Sequence, residues 1–340
     1  MIEYNPVKKG MISMAYENYE KALIDSFGEE VKRGIIKPEN TDIQGNAKVK
    51  YDRFIKTVKE IKPKNYLTSD FSNIGKKDVF ETSFKIIISI FGERVVPEAI
   101  EFFQRLVPSG AKEALDGISL TIIDKRDGSE IKAIEVPDFE TTSNIVTIVH
   151  EFAHYYLKQI GIDYSKKRYY EEIISILCEK IAGLIVDLEP SEKDFYNKIT
   201  EQRLDSLSWH YGENLPMLQN LLNEHAQMQR LAKKDFFAMI QLQSLEQQMP
   251  FLKTAQGISI LKGYYQNMAD SYGMGFLYSE SLLARYKDDR RTFHLQFDKL
   301  LSKEQTLQQL LEYYGINAKS NSVYETIYNR LDEIKEFKKR

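Results

Sequence analysis

The chain has 340 residues, of which 42% are hydrophobic and 29% are charged, a composition typical of a water-soluble globular protein. Its formal net charge is −3, with lysines and arginines spread along the sequence, so we expect no nucleic-acid partner. The single cysteine, Cys178, excludes an internal disulfide framework and a cysteine-rich zinc module.

The N-terminus lacks the basic and apolar segments of a secretory signal. No apolar run approaches the roughly 20 residues that a membrane-spanning helix needs. We therefore expect a cytoplasmic protein without a membrane partner. The sequence does not indicate an oligomeric state.

The first hundred residues have apolar positions at helical spacing and carry no recognisable catalytic motif. They predict helices at residues 10–34, 47–61, 77–91 and 97–106. We interpret residues 1–115 as an N-terminal helical region and residues 116–340 as the region that contains the chemistry.

The periodicity changes after residue 117. Ile118–Ile123 and Ile131–Val136 are rich in β-branched residues and alternate apolar with polar positions, and Asp127–Gly128 between them is a turn signal. These segments predict a β-hairpin. Its edge could bind an extended peptide through backbone hydrogen bonds, or the hairpin could be purely structural.

The motif His150–Glu151–Phe152–Ala153–His154 follows an apolar run, and Thr141 to Asn144 before it supply candidate N-caps for a helix. Histidines at i and i+4 lie one turn apart on one helix face, so both imidazoles can reach one metal ion. Glu151 is suited to accept a proton from a metal-bound water. With five histidines in the chain, the motif is expected by chance in well under about one such chain in a hundred. The pattern predicts one zinc ion per chain.

A catalytic zinc site with two histidines needs a third ligand and leaves one position for water. The helix predicted from Arg168 to Ile185 offers Glu171, Glu172 and Glu179. Glu172 and Glu179 are two turns apart on one face, whereas Glu171 points about 100° away from Glu172. The spacing alone leaves the choice of ligand open.

The rest of the chain is predicted to be almost entirely helical, which makes the fold class mainly α with a small β-sheet. The predicted helices span residues 193–209, 216–248, 251–286, 291–301, 303–314 and 323–338. Gly273 and Gly275 lie inside a strongly apolar helical pattern, where glycine indicates close packing or a hinge.

The motif and its surroundings resemble the thimet oligopeptidase and oligoendopeptidase F family of zinc peptidases, within the gluzincins. The third zinc ligand of that family is the first glutamate of an E-x-x-S-x-x-x-E segment, which this chain has from Glu172 through Ser175 to Glu179. The resemblance therefore implies that Glu172 binds zinc and that Glu179 supports the ligands without binding the metal itself. It covers Ile131 to Glu179 and Gly263 to Tyr286 at the level of motifs.

The segment Tyr272–Glu280 is similar to a tyrosine- and glycine-rich helix that lines the cleft of the family. This implies that Tyr272 or Tyr278 stabilises the oxyanion, although Phe276 replaces one tyrosine that the family commonly uses. The chain also has Ala153 at a position where the family usually has glycine, and Leu157 at a position where the family often has a histidine. Its loop before Glu172 is short, and the usual loop length would make Glu179 the ligand.

The resemblance implies a zincin-type catalytic core embedded in a largely helical oligopeptidase-like fold, packed as one unit with a cleft. The implied reaction is hydrolysis of peptide bonds, most of all in short oligopeptides. His150, His154 and Glu172 would bind zinc, and Glu151 would act as the general base. Two alternatives stay open: a dedicated protease that acts on one specific protein, and a zinc-site binding protein without turnover.

Three further histidines, His210, His225 and His294, are weaker candidates for the cleft, because a histidine at such positions is more often packed or exposed without a catalytic role. Cys178 lies on the helix that carries Glu172, where we expect it to be a small buried apolar side chain.

Overall fold

The computed structural model describes residues 46–108, 118–123, 130–136, 140–161, 168–186, 191–301 and 321–339. Helices dominate these residues, which confirms the mainly helical class. The α-helices are α1 (Asn46–Ile61), α2 (Lys76–Phe91), α3 (Val96–Arg105), α4 (Thr142–Gln159), α5 (Arg168–Ile185), α6 (Glu192–Trp209), α7 (Leu215–Leu231), α8 (Phe236–Gln248), α9 (Ala255–Asp288), α10 (Arg290–Leu300) and α11 (Asn321–Phe337). None of the described helices is both long enough and apolar enough to cross a membrane.

Shorter helical turns connect these elements. A π-helix, His210–Asn214, joins α6 to α7, and a 3-10 helix, Pro250–Lys253, precedes α9. The predicted helices at residues 10–34 and 303–314, and the Asp127–Gly128 turn, lie outside the described residues.

A small sheet contains β1 (Leu106–Pro108), β2 (Ile118–Ile123) and β3 (Glu130–Val136) in the order β1–β3–β2. β2 and β3, the two segments of the alternating pattern, pair antiparallel, whereas β1 pairs parallel with β3. The sequence did not predict β1, because Leu106 continues the apolar pattern of α3. The helix ends at Arg105 and Leu106 is already extended, and Pro108 disfavours a helical conformation at the residue before it.

Helix α4, which carries the candidate metal motif, lies in the interior of the fold. Asn144 Oδ1 accepts a hydrogen bond from the backbone N–H of Thr141 at 2.9 Å, which caps the first turn where the sequence indicated N-caps. Every side chain from Thr142 to Ala153 is buried. A helix that is covered all round belongs to the interior of the protein, so its polar residues need partners there.

The surrounding helices cover α4 on several sides. Helices α2 and α3 pack on it, and α5 packs on both α4 and α9. Phe152 of α4 meets Phe91 and Phe102 edge to face, each at 5.3 Å between ring centroids. The main core contains residues from α1 to α6 and from α9 to α11, so the N-terminal helices share a core with the helices that carry the motif.

The prediction of one continuous helix over residues 216–248 is wrong. Helix α7 ends at Leu231, and α8 begins at Phe236. The side chain of Asp235 accepts a hydrogen bond from the backbone N–H of Phe237 at 2.8 Å, so it caps α8 as a separate helix. The apolar pattern continued across the break because Phe236 and Phe237 maintain it, although both are exposed.

Candidate metal centre

The imidazoles of His150 and His154 lie one turn apart on α4 and face each other. Their Nε2 atoms are 3.1 Å apart, and both side chains are largely buried. Two nitrogens at about 2.05 Å from a tetrahedral zinc ion would be about 3.3 Å apart. The two rings therefore need little adjustment to bind one ion.

Glu172 of α5 supplies a third donor to the same point. Its Oε1 lies 3.9 Å from Nε2 of His154, and its Oε2 lies 4.0 Å from Nε2 of His150. The ligand atoms of the three residues lie within 4.8 Å of one another, and the described residues contain no other such group of three. Two imidazoles and one carboxylate are a donor set of catalytic zinc sites, so these residues fit zinc.

Glu179 lies on the opposite side of the His150 ring. Its Oε2 is 3.0 Å from Nδ1 of His150 and 2.6 Å from Nε of Arg203 on α6. The approach is not aligned as a hydrogen bond, but a carboxylate this close to Nδ1 favours a proton on that nitrogen and leaves the lone pair of Nε2 for a metal. Of the two glutamates that the sequence left as alternatives, the geometry thus favours Glu172 as the ligand and Glu179 as its support.

Glu171 has the corresponding position at the second histidine, with its Oε2 3.2 Å from Nδ1 of His154. The sequence offered Glu171 only as an alternative ligand that points away from Glu172. Helix α5 packs against α4 so that Glu171 approaches Nδ1 of His154 and Glu172 approaches Nε2 of the same ring. How two helices pass each other cannot be obtained from the spacing within either helix. Arg203, 24 residues after Glu179, likewise gave no signal in the sequence.

A buried polar layer lies behind the histidines. Burial raises the pKa of Glu179, and the charge of Arg203 partly offsets this shift. The next residue, Lys180, is also buried and pairs with Glu280 of α9 at 2.7 Å. Burial lowers the pKa of Lys180 to about 8, against the opposing effect of Glu280. Glu179 therefore lies between cationic groups that oppose the effect of burial and favour its charged form beside His150.

Glu151, the expected general base, directly follows His150 and is 6% exposed. Successive residues of a helix are rotated by about 100°, so Glu151 leaves α4 to one side of the two histidines. The burial of Glu151 keeps its carboxylate away from bulk water. Enclosed sites of this kind are suited to proton transfer by a general base.

Gly275 allows α9 to pack directly against the residue that supplies the third donor. A Cβ at this position would lie 2.9 Å from Cβ of Glu172 and 2.8 Å from Cδ1 of Ile176. Gly273 has a similar role on another side of α9, where its missing Cβ leaves room for the Tyr51 hydroxyl. Of the two roles that the sequence indicated for these glycines, the structure shows close packing.

We expect Gly275→Ala to lower the affinity for zinc by about 10- to 100-fold, the range typical for changes that disturb the orientation of a metal ligand. The added methyl group must displace Glu172, because one of its contacts is the backbone of that residue. A competition titration with a zinc-binding dye measures the effect. The matched control is Gly183→Ala on α5, where the nearest atom to an added Cβ is a side-chain carbon of Tyr196 at 3.5 Å. Equal affinities for the two variants would contradict this account.

The two candidate tyrosines of α9 lie one turn before and one turn after Gly275. Both are therefore within about 60° of the helix face that contacts Glu172. Tyr278 is buried in the main core. Tyr272 is only partly buried and stacks on His210 with 4.7 Å between the ring centroids. This difference favours Tyr272 as the tyrosine that a substrate can reach.

The other histidines have separate surroundings. His210 begins the π-helix and is buried against Tyr272, whereas Nε2 of His225 lies 3.0 Å from Glu246 and connects α7 to α8. His294 is partly buried beside Tyr286, and burial lowers its pKa. Cys178 is fully buried, as expected, and burial raises the pKa of its thiol. Of these residues, only His210 contacts a side chain that is a candidate for the site.

No family model matches the chain, and no curated protein or solved structure is significantly similar to it.

Proposed function

We propose that this chain is a zinc-dependent peptidase that hydrolyses peptide bonds in short oligopeptides. The observation that carries the proposal is the distribution of carboxylates around the two imidazoles. Each Nε2 is directed toward Glu172, and each Nδ1 has its own carboxylate, Glu179 or Glu171. Three protein ligands with supporting carboxylates, and one position left for water, are typical of catalytic zinc sites.

When bound, zinc would lower the pKa of water and polarise the carbonyl group of a peptide bond. Glu151 accepts a proton from the attacking water and then donates it to the leaving amine. Tyr272 donates a hydrogen bond to the carbonyl oxygen as negative charge develops there. Glu171 and Glu179 keep His154 and His150 in the required orientation throughout.

We further propose that α4, α5 and the small sheet are a zincin-type core, as the resemblance to the thimet oligopeptidase and oligoendopeptidase F family implies. Both β2 and β3 contact α4. Among the described residues, β2 has β3 as its one neighbouring strand. The other edge of β2 can then bind an extended peptide through backbone hydrogen bonds, which suits short flexible substrates.

The proposal is tested by incubating the purified protein with a mixed library of internally quenched peptides, with and without a zinc chelator. We expect cleavage at internal bonds, loss of cleavage with the chelator and recovery on addition of zinc. Mass spectrometry of the products identifies the bonds that are cut. Cleavage that persists after complete removal of the metal would refute a zinc mechanism. Bound zinc without cleavage of any peptide would favour a dedicated protein substrate or a binding role.

A further inference from the structure

Asp270 of α9 is 3% exposed and has no cationic partner at ion-pair distance among the described residues. Its Oδ1 accepts a hydrogen bond from the Tyr211 hydroxyl at 2.5 Å and another from Gln266 at 3.1 Å. The single hydroxyl proton of Tyr211 is thereby used, so the contact of 3.1 Å between Tyr51 and Tyr211 has Tyr51 as the donor. A chain of hydroxyls therefore leads to one oxygen of a buried carboxylate.

Among the described residues, the other oxygen of this carboxylate has no hydrogen-bond partner. Within the same part of the chain, Asp270 Oδ2 and, one turn earlier on α9, Asn267 Oδ1 are both buried acceptor atoms without a donor. Side chains three residues apart are neighbours on a helix surface. Buried acceptors are nearly always paired in folded proteins, and a buried carboxylate without a cation is costly. Two adjacent acceptors without donors are complementary to a ligand that carries only donors.

This feature is built into the packing of the helices. Gly273 leaves space on α9 for the Tyr51 hydroxyl, which fixes α1 and the Tyr51–Tyr211–Asp270 chain against α9. Lys48 and Asp52 of α1 act electrostatically on Asp270, and both are more than half exposed and pair with each other. The carboxylate thus lies within electrostatic range of two surface charges.

Asp270 precedes Gly275, the contact of Glu172, by five residues, which corresponds to about 7.5 Å along α9 and a rotation of about 140° around it. Tyr272 lies between them. The unpaired acceptors are therefore on the same helix as the candidate cleft residues but toward a different side of it, so a peptide that reaches both must follow the surface of α9 for a few residues.

We propose that Asp270 and Asn267 form a subsite for a positively charged group of the peptide substrate, an ammonium or a guanidinium. This inference rests on the proposed peptidase function. An ammonium supplies three donors and no acceptor, and its charge compensates the carboxylate. Burial raises the pKa of Asp270, against the opposing hydrogen bond from Tyr211, and a bound cation would restore the charged form.

The test uses pairs of quenched peptides that are identical except for lysine or norleucine at one position, scanned along the peptide. We expect the wild-type protein to prefer lysine at one position by about tenfold or more in kcat/KM, the gain of one charge-assisted hydrogen bond. Asp270→Asn should bring this ratio close to one, because the lysine peptide loses its advantage over the norleucine peptide. Asp288→Asn, at the exposed end of the same helix, is the matched control and should keep the preference.

A second variant, Asn267→Leu, removes the neighbouring acceptor and should also lower the lysine preference, which keeps the test decisive if Asp270→Asn does not fold. The proposal is overturned if wild type shows no lysine preference at any position, or if Asp270→Asn retains it. If neither peptide of any pair is cleaved, the proposed peptidase function is refuted. The subsite is then tested separately, by measuring the binding of the same labelled peptide pairs with fluorescence anisotropy. A preference in binding that Asp270→Asn lacks would support it, and equal binding would overturn it.

Discussion

Glu151→Gln is expected to lower kcat for peptide hydrolysis by about 10²- to 10⁴-fold, the range that general acid–base catalysis contributes. The amide has the size of the carboxylate but cannot accept the proton of the attacking water. The zinc content should stay at the wild-type level, because His150, His154 and Glu172 are unchanged. Initial rates and elemental analysis on the same preparations measure both quantities.

The matched control for this variant is Glu325→Gln, which makes the same chemical change at an exposed position of α11. We expect wild-type rates from it. Hydrolysis by Glu151→Gln within a few-fold of wild type would exclude Glu151 as the general base. Loss of zinc together with loss of activity would instead assign Glu151 a structural role.

The second large effect is expected at the third ligand. Glu172→Gln should weaken zinc binding far more than Glu179→Gln, for which we expect the roughly 10- to 100-fold loss typical of residues that orient a ligand. The reason is that Glu172 approaches Nε2 of both histidines, whereas Glu179 approaches Nδ1 of His150.

Zinc affinities of the two variants, measured by chelator competition, provide the comparison. Glu171→Gln should resemble Glu179→Gln, since it contacts the corresponding nitrogen of His154. The reverse order, with zinc lost in Glu179→Gln and retained in Glu172→Gln, would identify Glu179 as the ligand.

Periodicity within one helix was the most informative feature of the sequence. The i, i+4 spacing of His150 and His154 determines that their rings share a face, whatever packs around them. The same spacing could not distinguish Glu172 from Glu179, because both lie on one face of α5. That choice depends on how α5 packs against α4, which the spacing within α5 does not determine.

Contacts between distant segments explain the other differences. Arg203 approaches Glu179 from α6, and Tyr51 and Tyr211 approach α9 from two other elements. The break before α8 was missed for a local reason, because the cap formed by Asp235 interrupts a pattern that remains apolar on both sides. The sequence indicated close packing or a hinge at Gly275 but not its partner Glu172, which became evident only from the pairing of α5 with α9.

The most direct test of the central claim is the metal content and zinc X-ray absorption spectrum of the wild-type protein, purified without chelator. We predict one zinc ion per chain with only nitrogen and oxygen ligands at about 2.0–2.1 Å, including two imidazoles. His150→Ala and His154→Ala should each lose the ion. Protein that binds no zinc with both histidines intact, or a spectrum with a sulfur ligand, would contradict the assignment of His150, His154 and Glu172 as a metal centre.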